Sequence, residues 1–135
     1  MNKTFATDIE IAWGEMDALN HLNNAVYFRH FETARIKFFE ELGIWKLWED
    51  KVMGPVLKDC YAKYIRPVTF PDKLTIEITL SEIESDRFTM NYTAHSEAQN
   101  RTCTVGKSII VFIDFKSGKP TPLPKEMLKT IEAYN

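Results

Sequence analysis

The sequence predicts an α+β fold in which one five-stranded antiparallel sheet packs against one long helix. Three observations support this prediction: a strand pattern precedes the helix, one stretch repeats with helical spacing, and the chain beyond it alternates with a period of two. A single sheet that curls around such a helix can bury it. The 135 residues fit one domain, spanning residues 1–135, that is long enough to bury a sizeable core.

The first two elements are a strand over residues 5–13 and a long helix. The strand is predicted because five residues share one face of an alternating pattern: Phe5, Thr7, Ile9, Ile11 and Trp13. After a polar loop, two rows recur at helical spacing: Tyr27, Phe31, Ala34, Phe38 and Leu42, and then Phe28, Arg35 and Phe39. Asn23 or Asn24 can cap the start of the helix, and Gly43 suits its end. The helix should cover about 20 residues, and its broad apolar arc predicts that more than one side is covered.

The rest of the chain predicts a short helical turn, four strands and a short C-terminal helix. The turn covers residues 44–51, and the strand patterns cover residues 54–66, 74–80, 88–95 and 103–115. In the last strand, the predicted apolar face is Cys103, Val105, Lys107, Ile109, Val111, Ile113 and Phe115. The breaks between the later strands are short enough for hairpins, so these strands form an antiparallel meander. Pro124 suits the first turn of a helix over residues 124–134.

The composition indicates which partners to exclude. The net charge of -2 gives no electrostatic reason to expect nucleic acid or an anionic membrane surface as a partner. No apolar run approaches the roughly 20 residues that a membrane span needs, and the first residues lack the apolar core of a signal peptide. We therefore expect a cytoplasmic protein.

Several chemically capable side chains have no obvious partner in the sequence. Cys60 and Cys103 are isolated within strand patterns, which favours small buried residues in a reducing compartment over a disulfide or metal pair. His30 and His95 have no carboxylate or cysteine pattern beside them, so surface or satisfied positions are expected.

The polar loop before the long helix carries the candidate chemistry. Glu15, Asp17, His21, Asn23 and Asn24 all fall within this short stretch. The unpaired N–H groups and the dipole of a helix N-terminus can polarise a carbonyl oxygen and stabilise an oxyanion. A neighbouring carboxylate can activate water or attack an acyl carbon directly. The combination indicates acyl transfer, with Asp17 as the first candidate.

Each loop residue also has a structural interpretation. Asp17 fits an exposed or capping carboxylate, and Glu15 fits either a solvated side chain or one that shares a proton with Asp17. His21 could orient Asp17, act as an acid or hydrogen-bond to the loop backbone. Asn23 and Asn24 are economical helix caps. No second His or Cys stands at ligand spacing, so no metal site is expected.

The segment 14–27, GEMDALNHLNNAVY, resembles the signature of hot-dog-fold acyl-CoA thioesterases of the 4-hydroxybenzoyl-CoA thioesterase class. That signature reads Gly-Asp-x-Asp-x-x-Gly-His-x-Asn-Asn-x-x-Tyr. The further matches are Phe31-Glu32, Arg35, Arg66-Pro67-Val68, Asp72 and Leu74. The resemblance implies a sheet wrapped around one central helix, and a homodimer or homotetramer with active sites between subunits. It also implies hydrolysis of an acyl-CoA thioester to the free acid and CoA.

The resemblance also implies roles for individual residues. Asp17 matches the catalytic aspartate, and Asn24 matches the helix-start position whose backbone N–H polarises the thioester carbonyl. His21, grouped with these catalytic residues, and Asn23 order the loop. The remaining substrate-binding candidates are Asn20, Asn23, Tyr27, Arg66 and Lys107, with Lys63, Lys73 and Arg101 as alternatives for meeting CoA phosphates. Neither a metal nor a redox cofactor is implied, because CoA belongs to the substrate.

Two positions depart from the family pattern. Glu15 stands where the family has its first aspartate, and Asn20 stands where it has glycine. Asparagine tolerates positive φ, so the turn can form, although the side chain would narrow the pocket.

Two other functions stay open. One is an enoyl- or hydroxyacyl-thioester hydratase of the same fold. Such enzymes typically carry Asp-x-Asn-Pro-x-His, whereas Asp17 and His21 here are four residues apart without a proline. The other is a non-catalytic module that keeps the fold, has lost turnover and binds either acyl-CoA or an acyl-carrier protein.

Overall fold

A computed structural model describes residues 2–50 and 52–135, and these residues form five strands and three α-helices. In chain order they are β1 (Phe5–Glu10), α1 (Asn24–Leu42), α2 (Ile44–Glu49), β2 (Met53–Tyr64), β3 (Lys73–Ser81), β4 (Arg87–Ser96), β5 (Arg101–Asp114) and α3 (Lys125–Glu132). Residues 1 and 51, which the single-domain and helical-turn predictions included, lie outside the described residues. No helix in the described ranges is both long and apolar enough to cross a membrane.

The five strands form one antiparallel sheet in the order β1-β3-β4-β5-β2. Strands β3, β4 and β5 are consecutive neighbours, as the predicted meander requires. Strand β1 occupies one edge, where Phe5 pairs with Ile78 and Glu10 pairs with Lys73. Strand β2, the first of the four strands predicted after the long helix, occupies the other edge. Among the described residues it pairs with β5 and not with β3, so the meander comprises the last three strands alone. The predicted antiparallel sheet is therefore confirmed.

Helix α1 packs across one face of this sheet and supplies much of the core. Its first predicted row is buried throughout, and in the second row Arg35 and Phe39 are buried whereas Phe28 remains 37% exposed. The ring of Phe31 stacks on that of Tyr92 with centroids 4.6 Å apart. Gly106 allows this approach, because a Cβ there would lie 2.6 Å from the Phe31 ring.

The face of β5 that meets the helix differs from the prediction. The buried residues that alternate along it are Thr104, Gly106, Ser108, Ile110 and Phe112. Successive side chains of a strand point to opposite faces, so Lys107 lies on the outer face. The apolar alternation indicated the outer face because Thr104, Gly106 and Ser108 on the helix-facing side are small or polar. At Gly106 a side chain would meet the ring of Phe31.

Strand β1 is shorter than predicted, ending at Glu10 instead of residue 13. Ile11 stays buried, but a 3-10 turn over Trp13–Glu15 follows and leaves Trp13 75% exposed. The turn is fixed by the Glu15 carboxylate, whose Oε1 accepts the N–H of Ala12 at 2.7 Å.

Both cysteines are free thiols. Cys103 is buried and Cys60 only half-buried, so the expected burial applies to the first alone.

Candidate active site

The segment between the 3-10 turn and α1 is a tight loop closed by its own backbone. Met16 and Leu22 form an isolated bridge, and the N–H of Asp17 donates to the carbonyl of His21 at 2.8 Å. The N–H of Asn20 donates to the carbonyl of Asp17 at 2.9 Å. Asn20 has φ 62°, the left-handed conformation that a glycine would adopt freely.

The loop holds the carboxylate of Asp17 by one oxygen. Oδ1 accepts the N–H of Leu19 at 2.9 Å and the N–H of His21 at 3.2 Å. In the described part of the chain, Oδ2 takes part in none of the hydrogen bonds, so it can meet a substrate or water. Asp17 is thus fixed by the backbone and still chemically accessible.

The N-terminus of α1 is capped by Asn23. Its Oδ1 accepts the N–H of Ala25 at 2.9 Å, and its carbonyl accepts the N–H of Val26 at 3.0 Å. Asn24 is the first helical residue, and its carbonyl accepts the Tyr64 hydroxyl at 2.8 Å. Among residues 2–50 and 52–135, no hydrogen bond uses the N–H of Asn24. This N–H is therefore available at the positive end of the helix dipole.

These groups line one cleft of about 400 Å³, a volume within the range of small-molecule sites. Its walls are Asp17, Leu19, His21, Leu22, Asn24, Tyr27, Tyr64, Ile65, Arg66 and Pro67. The rings of Tyr27 and Tyr64 meet edge to face with centroids 5.2 Å apart. Burial raises the pKa of Tyr27 to about 12, so its phenol stays protonated at neutral pH.

Three of the principal substrate-binding candidates do not contribute side chains to this cleft. Lys107 lies on the outer face of β5, with its Nζ 5.8 Å from the ring centroid of Tyr61. Asn23 uses its side chain as the helix cap, and Asn20 lies at the exposed turn of the loop. The structure brings Asp17 together with His21, Asn24, Tyr27 and Arg66, whereas the alternatives Lys63, Lys73 and Arg101 do not line this cleft. All the proposed roles in catalysis and binding stay predictions.

The structure also shows a contact that the sequence did not reveal. His30 is only 5% exposed, and its Nε2 lies 3.3 Å from Oε2 of Glu15. Burial lowers the pKa of His30, while the Glu15 carboxylate acts in the opposite direction. Glu15 is therefore half-buried against His30, and among the described residues no hydrogen bond joins its carboxylate to Asp17. His30 lies three residues after Tyr27 and four before Ala34, so helical spacing alone could have indicated its burial.

Among the described residues, no group of three or more His, Cys, Asp or Glu side chains is arranged to hold a metal ion. The chemistry available in the cleft is that of a carboxylate, an imidazole, a free helix N–H, two phenols and a guanidinium.

Comparisons with known proteins extend these observations. The family described as the thioesterase-like superfamily matches residues 11–131. An Aquifex aeolicus protein described as a candidate esterase is 29% identical over 119 residues, covering 87% of this chain and 90% of that protein. The long-chain acyl-CoA thioesterase FadM of Escherichia coli is 24% identical over 126 residues, covering 93% of this chain and 96% of that protein.

A solved structure gives the same result. That of PA2801 from Pseudomonas aeruginosa, described as a candidate thioesterase, superposes with a TM-score of 0.84 at 28% identity. The match covers 93% of this chain and 96% of PA2801. The predicted hot-dog fold and the predicted class of enzyme, a thioester hydrolase, are thereby confirmed. With a family match that spans nearly all of its length, this chain belongs to the thioesterase-like superfamily.

Proposed function

We propose that the protein hydrolyses an acyl-CoA thioester to the free acid and CoA. The observation that carries the proposal is the pairing, in one cleft, of the Asp17 carboxylate with the N-terminus of α1. FadM, a relative over nearly the whole chain, is named a long-chain acyl-CoA thioesterase, which supports a CoA thioester as the substrate.

The geometry supports a hydrolysis with two participating groups. Asp17 takes a proton from water as the water oxygen attacks the thioester carbonyl carbon, or its free oxygen attacks that carbon and water then cleaves the resulting anhydride. In both routes the carbonyl oxygen gains negative charge. The N–H of Asn24 and the dipole of α1 stabilise that charge. Collapse of the intermediate expels CoA as a thiolate, which then takes up a proton.

The other cleft residues bind and orient the substrate in this proposal. Tyr27 and Tyr64 provide an apolar wall with hydroxyl groups, and the exposed Arg66 suits a CoA phosphate. His21 supports the loop through its backbone N–H and carbonyl. These steps require neither a metal nor a redox cofactor.

The proposal includes a homodimer or homotetramer in the cytoplasm, with the cleft at a subunit interface. Strand β2 supports it, because its outer edge has no partner strand among the described residues. The exposed apolar side chains on this strand include Val56, Leu57 and Tyr61. A long apolar edge strand favours pairing with another chain.

The test is the Asp17→Asn variant, assayed for free-thiol release from a panel of acyl-CoA substrates. Loss of the general base or nucleophile should lower kcat by about 10² to 10⁴. Asp114→Asn is the matched control, because the Asp114 carboxylate also accepts two backbone N–H groups in a turn, from Lys116 and Ser117. A folded Asp17→Asn protein with full activity would overturn the assignment.

The same panel separates the two other functions. Tight acyl-CoA binding by the unmodified protein without thiol release would establish a binding module. Hydration of an enoyl-CoA without thiol release would establish a hydratase.

A further inference from the structure

We propose that Glu15 and His30 form a positioning pair that holds the Asp17 loop against helix α1. This inference rests on the proposed function, because it assigns the pair an effect on turnover. It adds two residues that do not line the cleft and do not touch the substrate in the proposed mechanism.

Glu15 connects three parts of the molecule. Its Oε1 accepts the N–H of Ala12 at 2.7 Å, where the chain leaves β1. Its carbonyl accepts the N–H of Asn23 at 3.0 Å, at the cap of α1. Its Oε2 lies 3.3 Å from Nε2 of His30, in the second turn of α1. One residue thus ties the end of the first strand to two levels of the helix.

His30 has few alternatives to this contact. It is buried, and within the described residues its Nε2 has no hydrogen bond of standard geometry. The charged groups acting on it are Glu15, from the 3-10 turn, and Arg29, its neighbour on α1. A neutral imidazole that carries its proton on Nε2 can direct that N–H at the carboxylate. The contact therefore does not require a charged His30.

The position of Glu15 makes this contact relevant to catalysis. Asp17 follows two residues later, and its carboxylate is held by N–H groups of its own loop, so it moves as the loop moves. Asn23, bonded to the carbonyl of Glu15, caps the helix whose first N–H serves as the proposed oxyanion donor. Loosening Glu15 would change the distance between the attacking group and the oxyanion site. An error of about 1 Å in such a distance can lower the turnover rate by up to about 10²-fold.

The first test compares kcat and KM for His30→Ala, Glu15→Ala and the double variant. Loss of the close contact between His30 and the Glu15 carboxylate should lower kcat about tenfold in each single variant, with KM within about twofold because substrate contacts remain. The double variant should be no worse than the poorer single variant. His30→Gln should restore most of kcat, because its amide N–H can reach the carboxylate. His95→Ala, on the outer face of β4, is the control. Additive losses, a change confined to KM, or a His30→Gln variant as impaired as His30→Ala would overturn the inference.

The second test needs no activity. The chain has three histidines, so NMR titration can follow His30 separately once single variants assign the signals. Because Glu15 raises the pKa of His30, Glu15→Ala should lower the His30 titration midpoint. Amide exchange at Leu19 and His21 should become faster in both single variants and stay unchanged in His95→Ala.

An unchanged His30 midpoint or unchanged loop exchange overturns the inference whether or not the protein is active. Failure of the proposed function has a different signature, because the unmodified protein would then release no thiol from any acyl-CoA.

Discussion

The Tyr64 hydroxyl offers a sharp test of how the helix N-terminus is held. It donates a hydrogen bond to the carbonyl of Asn24 at 2.8 Å, while its ring packs edge to face on Tyr27. Tyr64→Phe removes the hydroxyl and keeps the ring. The prediction is therefore confined to one hydrogen bond on the residue that carries the proposed oxyanion donor.

The magnitude follows from the exposure of that bond. A protein hydrogen bond contributes about 0.5–1.5 kcal/mol net. With Tyr64 41% exposed, the lower part of that range, about 0.5–1 kcal/mol, applies. If the bond orients Asn24 for the transition state, kcat/KM should fall about twofold to fivefold. The melting temperature should fall by a few degrees at most.

The assay is thiol release from an acyl-CoA substrate together with thermal unfolding. Tyr61→Phe is the matched control: Tyr61 lies on the same strand, and no hydrogen bond among the described residues uses its hydroxyl. Its ring, which lies beneath the Lys107 ammonium, is kept. Unchanged kcat/KM in Tyr64→Phe, or an equal loss in Tyr61→Phe, would refute the reasoning.

Three further predictions concern the fold and the loop, each with its own comparison. Gly106→Ala places a Cβ 2.6 Å from the Phe31 ring and 2.7 Å from a β2 backbone oxygen. The free energy of unfolding, measured by urea titration, should therefore fall by about 1–3 kcal/mol or more. Gly14→Ala, which meets open space, should show no comparable loss. Asn20→Ala should lower the free energy of unfolding by about 1 kcal/mol, because φ at this position is 62°, in the left-handed region that alanine disfavours. Asn20→Gly should not lower it. Because the pKa of His30 is lower in the folded protein, the unfolded chain binds a proton at His30 more readily than the folded protein does. The stability that the folded protein gains from a neutral His30 is therefore lost as the pH falls below about 6.5. The unfolding free energy of His30→Gln should therefore fall less between pH 7 and 5 than that of the unmodified protein, as measured by urea titration.

The order of elements could be predicted from the sequence because burial of one face imposes a period on each element. The end of β1 could not be predicted, because Ile11 and Trp13 continue the alternation beyond the last residue of the strand. A strand also needs a neighbour to accept its hydrogen bonds, and the ladder with β3 ends where Glu10 meets Lys73. The period reports burial and does not report where the neighbouring strand ends.

Strand β5 shows a second limit of the same reasoning. Its outer face carries apolar residues such as Val105 and Ile109, whereas its inner face carries Gly106 and Ser108 opposite α1. Hydrophobicity therefore favoured the outer face as the one that meets the helix. Close packing against Phe31 requires small residues there, a demand visible only once the helix is in place.

In the loop between the 3-10 turn and α1, some features could be predicted from the sequence and one could not. Local geometry could be predicted: the Asn23 cap follows from a short-range rule, and the positive φ of Asn20 follows from the glycine that the family pattern has at this position. The contact between Glu15 and His30 depends on the angle at which the loop meets the helix, which no local pattern encodes. A glutamate at the family's aspartate position has a physical reason here. Its carboxylate spans from the N–H of Ala12 to His30, and the side chain of aspartate is one methylene shorter. The glutamate at this position thus joins the loop to the helix.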